Sequence, residues 1–364
     1  MRNKAIVSQR EWQMALHDRR IRVLVTAGSA VAVSQLARDL AGDRSLGISI
    51  ATNVESLWLE VDAVRPMALL LDTRIAGSKT PELVGELIRR AKLPILIRSE
   101  SNDVSAGILL DCIEAGALGI LNKPTTADAV AREMPGLIWS LKAAAGAAMS
   151  NLPSIASNQN IAKASGGDQS IVAIGAGLGG TIQLTNLLAR LPADAPASVV
   201  IAPLPSQLLG PWAERLSGRC QVAVKQARDG DLMKSGQVLI APGNGHLLIR
   251  RSGSDWAVRI KDGPAVFQNR PSVEILFNSI ADSGAPKAVG VLLSSAGVDG
   301  IAGLLQLRKS GGRTITESPA TSIFPELPTR ALKCGAAEAS PSRDELVDTM
   351  IEFARQQPKS GVAA

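Results

Sequence analysis

The chain has no tyrosine, and aromatic residues make up only 2% of it. A surface that stacks nucleobases needs several aromatic faces, so nucleic-acid binding of that kind is excluded. Only two histidines occur, His17 and His246, and any chemistry that needs an imidazole must use one of them. The three cysteines, Cys112, Cys220 and Cys334, are widely spaced and odd in number. That pattern fits neither a disulfide framework nor a cysteine-held zinc ion. The 33 glycines and 20 prolines follow no collagen-like period. Apolar runs of membrane-spanning length are also missing. The uncharged stretch 169–189 contains four glycines together with Thr181, Gln183, Thr185 and Asn186, and reads as strand, turn and helix. The N-terminus lacks the apolar segment of a secretory signal, so a cytoplasmic protein is expected.

What is present is an ordinary globular composition, 46% hydrophobic and 20% charged over 364 residues. At roughly 150 residues per domain that length predicts two domains. The net charge of +6 is uneven. Residues 1–22 hold Arg2, Lys4, Arg10, Arg19, Arg20 and Arg22 against Glu11 and Asp18, a local +4 that leaves only +2 for the remainder. Such a tail reads as a solvated basic extension, assigned to residues 1–20.

Strand-like runs at 21–26, 47–51, 67–71, 94–98 and 118–121 alternate with helical spacing at 31–41, 80–91 and 104–115. This alternation predicts a doubly wound, flavodoxin-like parallel sheet over 21–140, with its ligand site at the carboxyl ends of the strands. Residues 141–169 are rich in Ala, Ser, Asn and Gly and read as a linker. A second α/β pattern occupies 170–355, with strands expected at 171–174, 198–202, 237–241, 246–250 and 288–293. Its helices are expected at 180–190, 271–283, 299–309 and 342–354, and 356–364 form a tail.

The first domain resembles the receiver domain of response regulators. Asp72 ends the third strand (LLLDTR), at the family's phosphoacceptor position. Ser99 ends the fourth (PILIRS), and Lys123 lies in an Asn-Lys-Pro segment after the fifth. Phosphoryl transfer to a carboxylate needs Mg²⁺ held by oxygen ligands. The acidic pair that supplies them in receivers is replaced, in VLVTAGSA, by Ala27 and Gly28. Ile120 stands where the family has a switch aromatic. Two readings of Asp72 stand: a phosphoacceptor, or an ion pair with Lys123 that holds the strand ends together. The missing carboxylates favour the second, and with it a receiver fold used for docking or dimerising.

The second domain opens with IVAIGAGLGG, in which Gly175, Gly177 and Gly180 form a G-x-G-x-x-G turn between strand and helix. Alone, this turn admits a nucleotide site, but the second strand (SVVIAPLP) has no acid for the ribose. IVAIGAGLGG, SVVIAPLP, APGNGH, RPSV, SSAGVDG and ESPATSIFPELPTRAL, in that order, resemble the catalytic domain of the chemotaxis protein-glutamate methylesterases, the CheB family. Receiver, linker and catalytic domain in this order is that family's architecture.

The resemblance implies hydrolysis of receptor glutamyl methyl esters and deamidation of receptor glutamines by a Ser-His-Asp triad. The family's G-A-S-T-G-G turn is here Gly175-Ala176-Gly177-Leu178-Gly179-Gly180, which places Gly177 at the nucleophile. Its Q-H-M-P segment is Ala202-Pro203-Leu204-Pro205, which places Pro203 at the base. Its G-M-G-x-D-G segment is Ser295-Ala296-Gly297-Val298-Asp299-Gly300. Asp299 alone survives, and the family's Met is Ala296. Glycine has no side chain and proline no proton acceptor, so the constellation reads as a silent hydrolase, and no cofactor is expected. The alternative is an esterase or amidase with a displaced nucleophile, for which Ser294, Ser295, Thr181 and His246 are the nearby groups. His246 reads as structural, and Asp299 either caps the 301–309 helix or is a catalytic remnant. The expected partners are a chemoreceptor or other signalling protein, a sensor kinase or a true methylesterase, with neither nucleic acid nor membrane insertion.

Overall fold

Short runs of leucine and β-branched residues, bounded by turn residues, become strands in both halves of the chain. The computed structural model describes residues 20–100, 104–155, 170–285 and 287–356. Almost all of the basic extension, the second half of the linker and the tail beyond Gln356 lie outside the described residues. Contacts gather the chain into two units, Met1–Val104 with Leu121–Gly146 and Ser105–Ile120 with Ala147–Ala364.

The first sheet has five strands, β1 (Ile21–Thr26), β2 (Leu46–Ala51), β3 (Ala68–Asp72), β4 (Ile95–Ser99) and β5 (Gly119–Asn122), in the order β2-β1-β3-β4-β5. The ladders of β1 with β2 and β3, and of β3 with β4, are parallel. This is the flavodoxin-like order. Every residue of β3 is buried, as a parallel sheet covered on both faces requires. Helices α1 (Ala30–Leu40), α2 (Val54–Val64), α3 (Thr80–Ala91), α4 (Ala106–Glu114) and α5 (Ala127–Ala145) connect or follow these strands. Their starts are local chemistry. Ser29 accepts the Ala32 N–H at the head of α1, and Asn53 with Ser56 forms a capping box at α2.

The second sheet has six parallel strands, β6 (Ile171–Gly175), β7 (Ala197–Ile201), β8 (Ala223–Gln226), β9 (Gln237–Ile240), β12 (Ala288–Leu292) and β13 (Arg313–Thr316), ordered β13-β12-β6-β7-β9-β8. Helices α6 (Thr181–Ala189), α7 (Ser206–Ser217), α8 (Val273–Asp282), α9 (Ile301–Lys309), α10 (Glu326–Lys333) and α11 (Leu346–Arg355) complete the unit.

Segment 246–250 does not join this sheet. It opens β10 (His246–Ser252), which pairs antiparallel with β11 (Asp255–Lys261) in a separate hairpin. A tight turn at Gly253, whose φ is 63°, reverses the chain there. Strands β8 and β13 also go beyond the sequence reading. β8 is a half-exposed edge strand, and β13 buries the polar residues Arg313, Thr314 and Thr316, so neither shows an apolar run.

Within the first unit, Lys142 in the last turn of α5 reaches Asp43 Oδ2 at 2.6 Å, and Ser45 donates its N–H and O–H to Asp43 Oδ1. These bonds, Lys142 first, hold the Asp43 carboxyl down from 3.8 to about 2. A depressed acid contributes stability that is present above its unfolded value and is lost as pH falls through its folded one. Lys142→Met is expected to move the Asp43 pKa back up toward the ordinary carboxylate value in a carbon-detected NMR titration. An unchanged value would assign the shift to Ser45 alone.

Candidate functional site

The order of the second sheet reverses at β6: β7, β9 and β8 lie on one side, and β12 and β13 on the other. In an open parallel sheet the crevice at such a reversal, beyond the carboxyl ends of the strands, is where ligands bind. Three loops leave the sheet there. The glycine turn follows β6, Ala202-Pro203 follows β7, and Ser294–Asp299 follows β12.

The turn is closely packed. A Cβ built on Gly177 would lie 1.7 Å from Ser295 Oγ and 2.7 Å from Ser295 Cβ. The Ser295 side chain therefore occupies the space into which a side chain at 177 would project. Gly179 has φ of 83°, and a Cβ there would lie 2.6 Å from Phe324 Cε2. These approaches account for glycine at both positions without a nucleotide. Ser295 is buried, and its hydroxyl donates to the Ala296 carbonyl at 2.9 Å. Beside it, Ser294 Oγ accepts the Phe324 N–H at 2.8 Å. At the start of α6, Thr181 Oγ1 and Gln183 Oε1 are buried without hydrogen-bond partners.

Pro203 is half-buried and supplies no side-chain polar atom. Asp299 has three donors: Ser272 Oγ–H at 2.7 Å and Glu274 N–H at 3.0 Å to Oδ1, and Val273 N–H at 3.0 Å to Oδ2. Burial pushes its carboxyl upward in pKa, while Ser272 and the two amides pull the other way. The expectation that Asp299 caps the helix after it is corrected. α9 starts at Gly300 with no side-chain cap, and φ of 94° at that glycine turns the chain sharply. The carboxylate instead meets the free amides at the N-terminus of α8, where the helix dipole favours it.

His246 is 3% exposed. Its Nδ1 accepts the Ser272 N–H at 3.2 Å, which places the ring proton on Nε2, bonded to the Pro264 carbonyl at 2.9 Å. With both nitrogens engaged, the ring has no acceptor left for a hydroxyl proton.

At the carboxyl end of the first sheet, Asp72 is 1% exposed. Its Oδ1 accepts from Lys123 Nζ and from the Arg74 N–H, each at 2.9 Å. Ser99 Oγ accepts from Thr73 Oγ1 at 3.2 Å and donates to the Glu100 carbonyl, and the Lys123 N–H bonds the Ser99 carbonyl. Ile120 is buried in β5.

Flavodoxin-like strand order with Asp72, Ser99 and Lys123 at one end, together with a second parallel sheet carrying a glycine turn at its reversal, defines a receiver coupled to a methylesterase-type α/β domain. The family model for CheB methylesterase matches residues 172–350. The chain is 31% identical over 342 residues to protein-glutamate methylesterase/protein-glutamine glutaminase 2 of Syntrophus aciditrophicus, covering 92% of this chain and 99% of that one. It is 35% identical over 345 residues to protein-glutamate methylesterase/protein-glutamine glutaminase 5 of Anaeromyxobacter dehalogenans, covering 88% and 93%. Among solved structures, the Thermotoga maritima CheB methylesterase catalytic domain aligns with TM-score 0.49 at 28% identity, over 52% of this chain and all of that one. The chain belongs to the CheB methylesterase family.

Sequence reasoning passed over two residues at these sites. Arg74 sits two positions after Asp72, and its side chain lies against Gly28. Glu317, at the end of β13, is 1% exposed; its Oε2 accepts the Ser294 N–H at 3.2 Å, and Oε1 lies 3.8 Å from Arg343. A lone acid closing the polar run Arg-Thr-Ile-Thr was the available signal for Glu317.

Burial drives the Glu317 carboxyl up from 4.5 to about 7, against the pull of Arg343 and the Ser294 amide. The folded state then binds the proton more tightly than the unfolded chain, so this group's contribution is complete below its unfolded pKa and fades as pH rises toward 7. Glu317→Gln keeps an acceptor for Ser294 and removes the titration. It is expected to stabilise the chain at pH 8 by on the order of 1–3 kcal/mol while matching wild type near pH 4.5 in urea unfolding. Parallel wild-type and variant pH curves would refute the assignment.

Proposed function

We propose that this CheB-family chain is a catalytically silent member that works by binding. Its receiver domain spans 21–140 and its methylesterase-like domain 170–355. The observation that carries the proposal is the Ser295 side chain seated 1.7 Å from where a Cβ of residue 177 would begin. The position that the resemblance gives to the nucleophile has no side chain, one placed there would require Ser295 to shift, and the position of the base is Pro203. Loss of the nucleophile alone removes most of the acceleration of a triad, which leaves binding terms only. Asp299 serves α8, and both nitrogens of His246 are committed.

The loops after β6, β7 and β12, which meet at the reversal of the second sheet, support a shell that still offers a binding crevice. Partners of matching chemistry are a chemoreceptor tail bearing glutamyl or glutaminyl side chains, another signalling protein such as a sensor kinase, or an active methylesterase. Such partners go with a cytoplasmic place, and among the described residues no helix is long and apolar enough to cross a membrane.

A second reading uses Ser295 as a displaced nucleophile, since its hydroxyl stands in the vacated space. Engagement of that hydroxyl by the Ala296 carbonyl favours the silent reading.

Methanol release from a methyl-esterified receptor fragment separates the two. The full wild-type chain is expected to release none above buffer. Gly177→Ser with Pro203→His is expected to stay inert, because the new side chain meets Ser295. Adding Ser295→Gly is expected to give measurable turnover. Wild-type release that Ser295→Ala abolishes would establish the displaced nucleophile and overturn the silent reading.

A further inference from the structure

The receiver fold implies a divalent cation beside Asp72, and the residues present do not fit one. In place of an acidic pair the chain has Ala27 and Gly28, and the space beside Gly28 belongs to Arg74. A Cβ on Gly28 would lie 2.9 Å from Arg74 Cβ, 3.0 Å from Nε and 3.1 Å from Cδ. A side chain at 28 would therefore have to displace this arginine from its present position.

Arg74 is itself aimed at the acids. Its Nε is 3.6 Å from Asp72 Oδ1, and a terminal guanidinium nitrogen is 3.4 Å from Glu100 Oε1. Lys123 Nζ holds the same Asp72 oxygen at 2.9 Å. Arg98 lies opposite Asp72 in the β3–β4 ladder. Burial pulls its guanidinium down in pKa, Asp72 draws it back up, and the neighbouring Arg74 charge adds to the lowering. Arg74 and Lys123 thus share Asp72, Arg74 reaches Glu100 as well, and Arg98 is acted on by Asp72, Glu100 and Glu133, so an arriving Mg²⁺ would compete with cations already placed beside these acids. Mg²⁺ also needs octahedral oxygen ligands at short range; Asp72 Oδ2, buried without a hydrogen-bond partner, is one such oxygen, but Ala27 and Gly28 supply no carboxylate to join it.

We propose that the Arg74 guanidinium is a resident cation at Asp72 that excludes a divalent ion, so that the first unit holds a single charge state whether or not Mg²⁺ and a phosphoryl donor are present. Arg74 joins the ends of β3 and β4 through Asp72 and Glu100, while Lys123 brings in the segment after β5. The contacts that a metal and a phosphoryl group would make on demand are replaced by tethered side-chain ones. A guanidinium carried by the chain differs from a bound ion in one respect that experiment reads directly: its presence does not depend on the concentration of a free ion.

Calorimetric titration of the full chain with MgCl₂ tests the proposal. The wild type is expected to show no saturable uptake. Ala27→Asp with Gly28→Asp, which restores the acidic pair while Arg74 remains, is expected to bind at least tenfold more weakly than the triple variant that adds Arg74→Gly and so removes all three contacting atoms. Saturable wild-type uptake that Asp72→Asn abolishes would overturn the proposal, as would equal binding, or none, by the double and triple variants. Should the triple variant fail to fold, thermal unfolding of Ala27→Asp with Arg74→Gly, set against Ala27→Asp alone, decides the matter. Mg²⁺ is expected to raise the Tm of the first by more than that of the second, and an identical response of the two would overturn the proposal.

Discussion

A buried carboxylate is tolerated only where donors surround it, and the three donors gathered on Asp299 fix most of what is distinctive about the second unit. They tie the loop after β12 to the first turn of α8, which has no other partner for those amides. Ser272 extends the tie to His246 through its own N–H, and His246 extends it to Pro264. With that loop anchored at Asp299, Ser295 is held against Gly177. Survival of the aspartate where the family's other two triad positions have changed follows from this role. Removing it would leave two amides and a serine hydroxyl unpaired, a cost of several kcal/mol at about 1–3 kcal/mol each, irrespective of any chemistry.

The same geometric theme appears at the carboxyl end of each sheet. At Gly177 a side chain from the facing loop fills the space, and at Gly28 a side chain from the turn after β3 does so. Protein interiors are close-packed, and a gap too small for water forfeits dispersion contacts on every wall. A position that loses a functional side chain next to a movable neighbour is therefore an opening the neighbour gains by entering. Both fillers are polar side chains, a hydroxyl at Gly177 and a guanidinium at Gly28.

The fold was largely legible because parallel strands buried on both faces are near-continuous apolar runs, as in ALLLD and ASVVI. Strands that break that rule escaped: β8 alternates at a sheet edge, and β13 buries threonines and an arginine. The 246–250 run was read as a strand, but its place in a hairpin depended on a two-residue turn outside the run. At the sites, the family resemblance pointed to Gly177, Pro203 and Asp299, which lie on three separate loops at the strand reversal. What spacing does not encode is direction. That Asp299 faces α8 rather than α9, and that Arg74 lies over Gly28, are consequences of backbone turns and of side chains meeting across loops, and no one-dimensional pattern carries them.

Filling changes what further substitution does. Where Ser295 and Gly177 share one space, each residue sets the cost of changing the other, and effects at contacting positions do not add. Serine at 177 introduced alone overpacks the crevice, since shape changes in a filled interior typically cost about 1–3 kcal/mol. Glycine at 295 introduced alone opens a hole. Either single step is unfavourable although the pair is compatible, so the Ser295–Gly177 arrangement sits in a local optimum that single substitutions leave only at a loss. The Arg74–Gly28 pair has the same steric structure: a side chain at 28 must displace the arginine, and the arginine displaced loosens its hold on Asp72 and Glu100. A chain filled in this way gains packing at the positions where a bulkier side chain would have to move a neighbour, so the scaffold is stabilised by the absence of that side chain as much as by the contacts present.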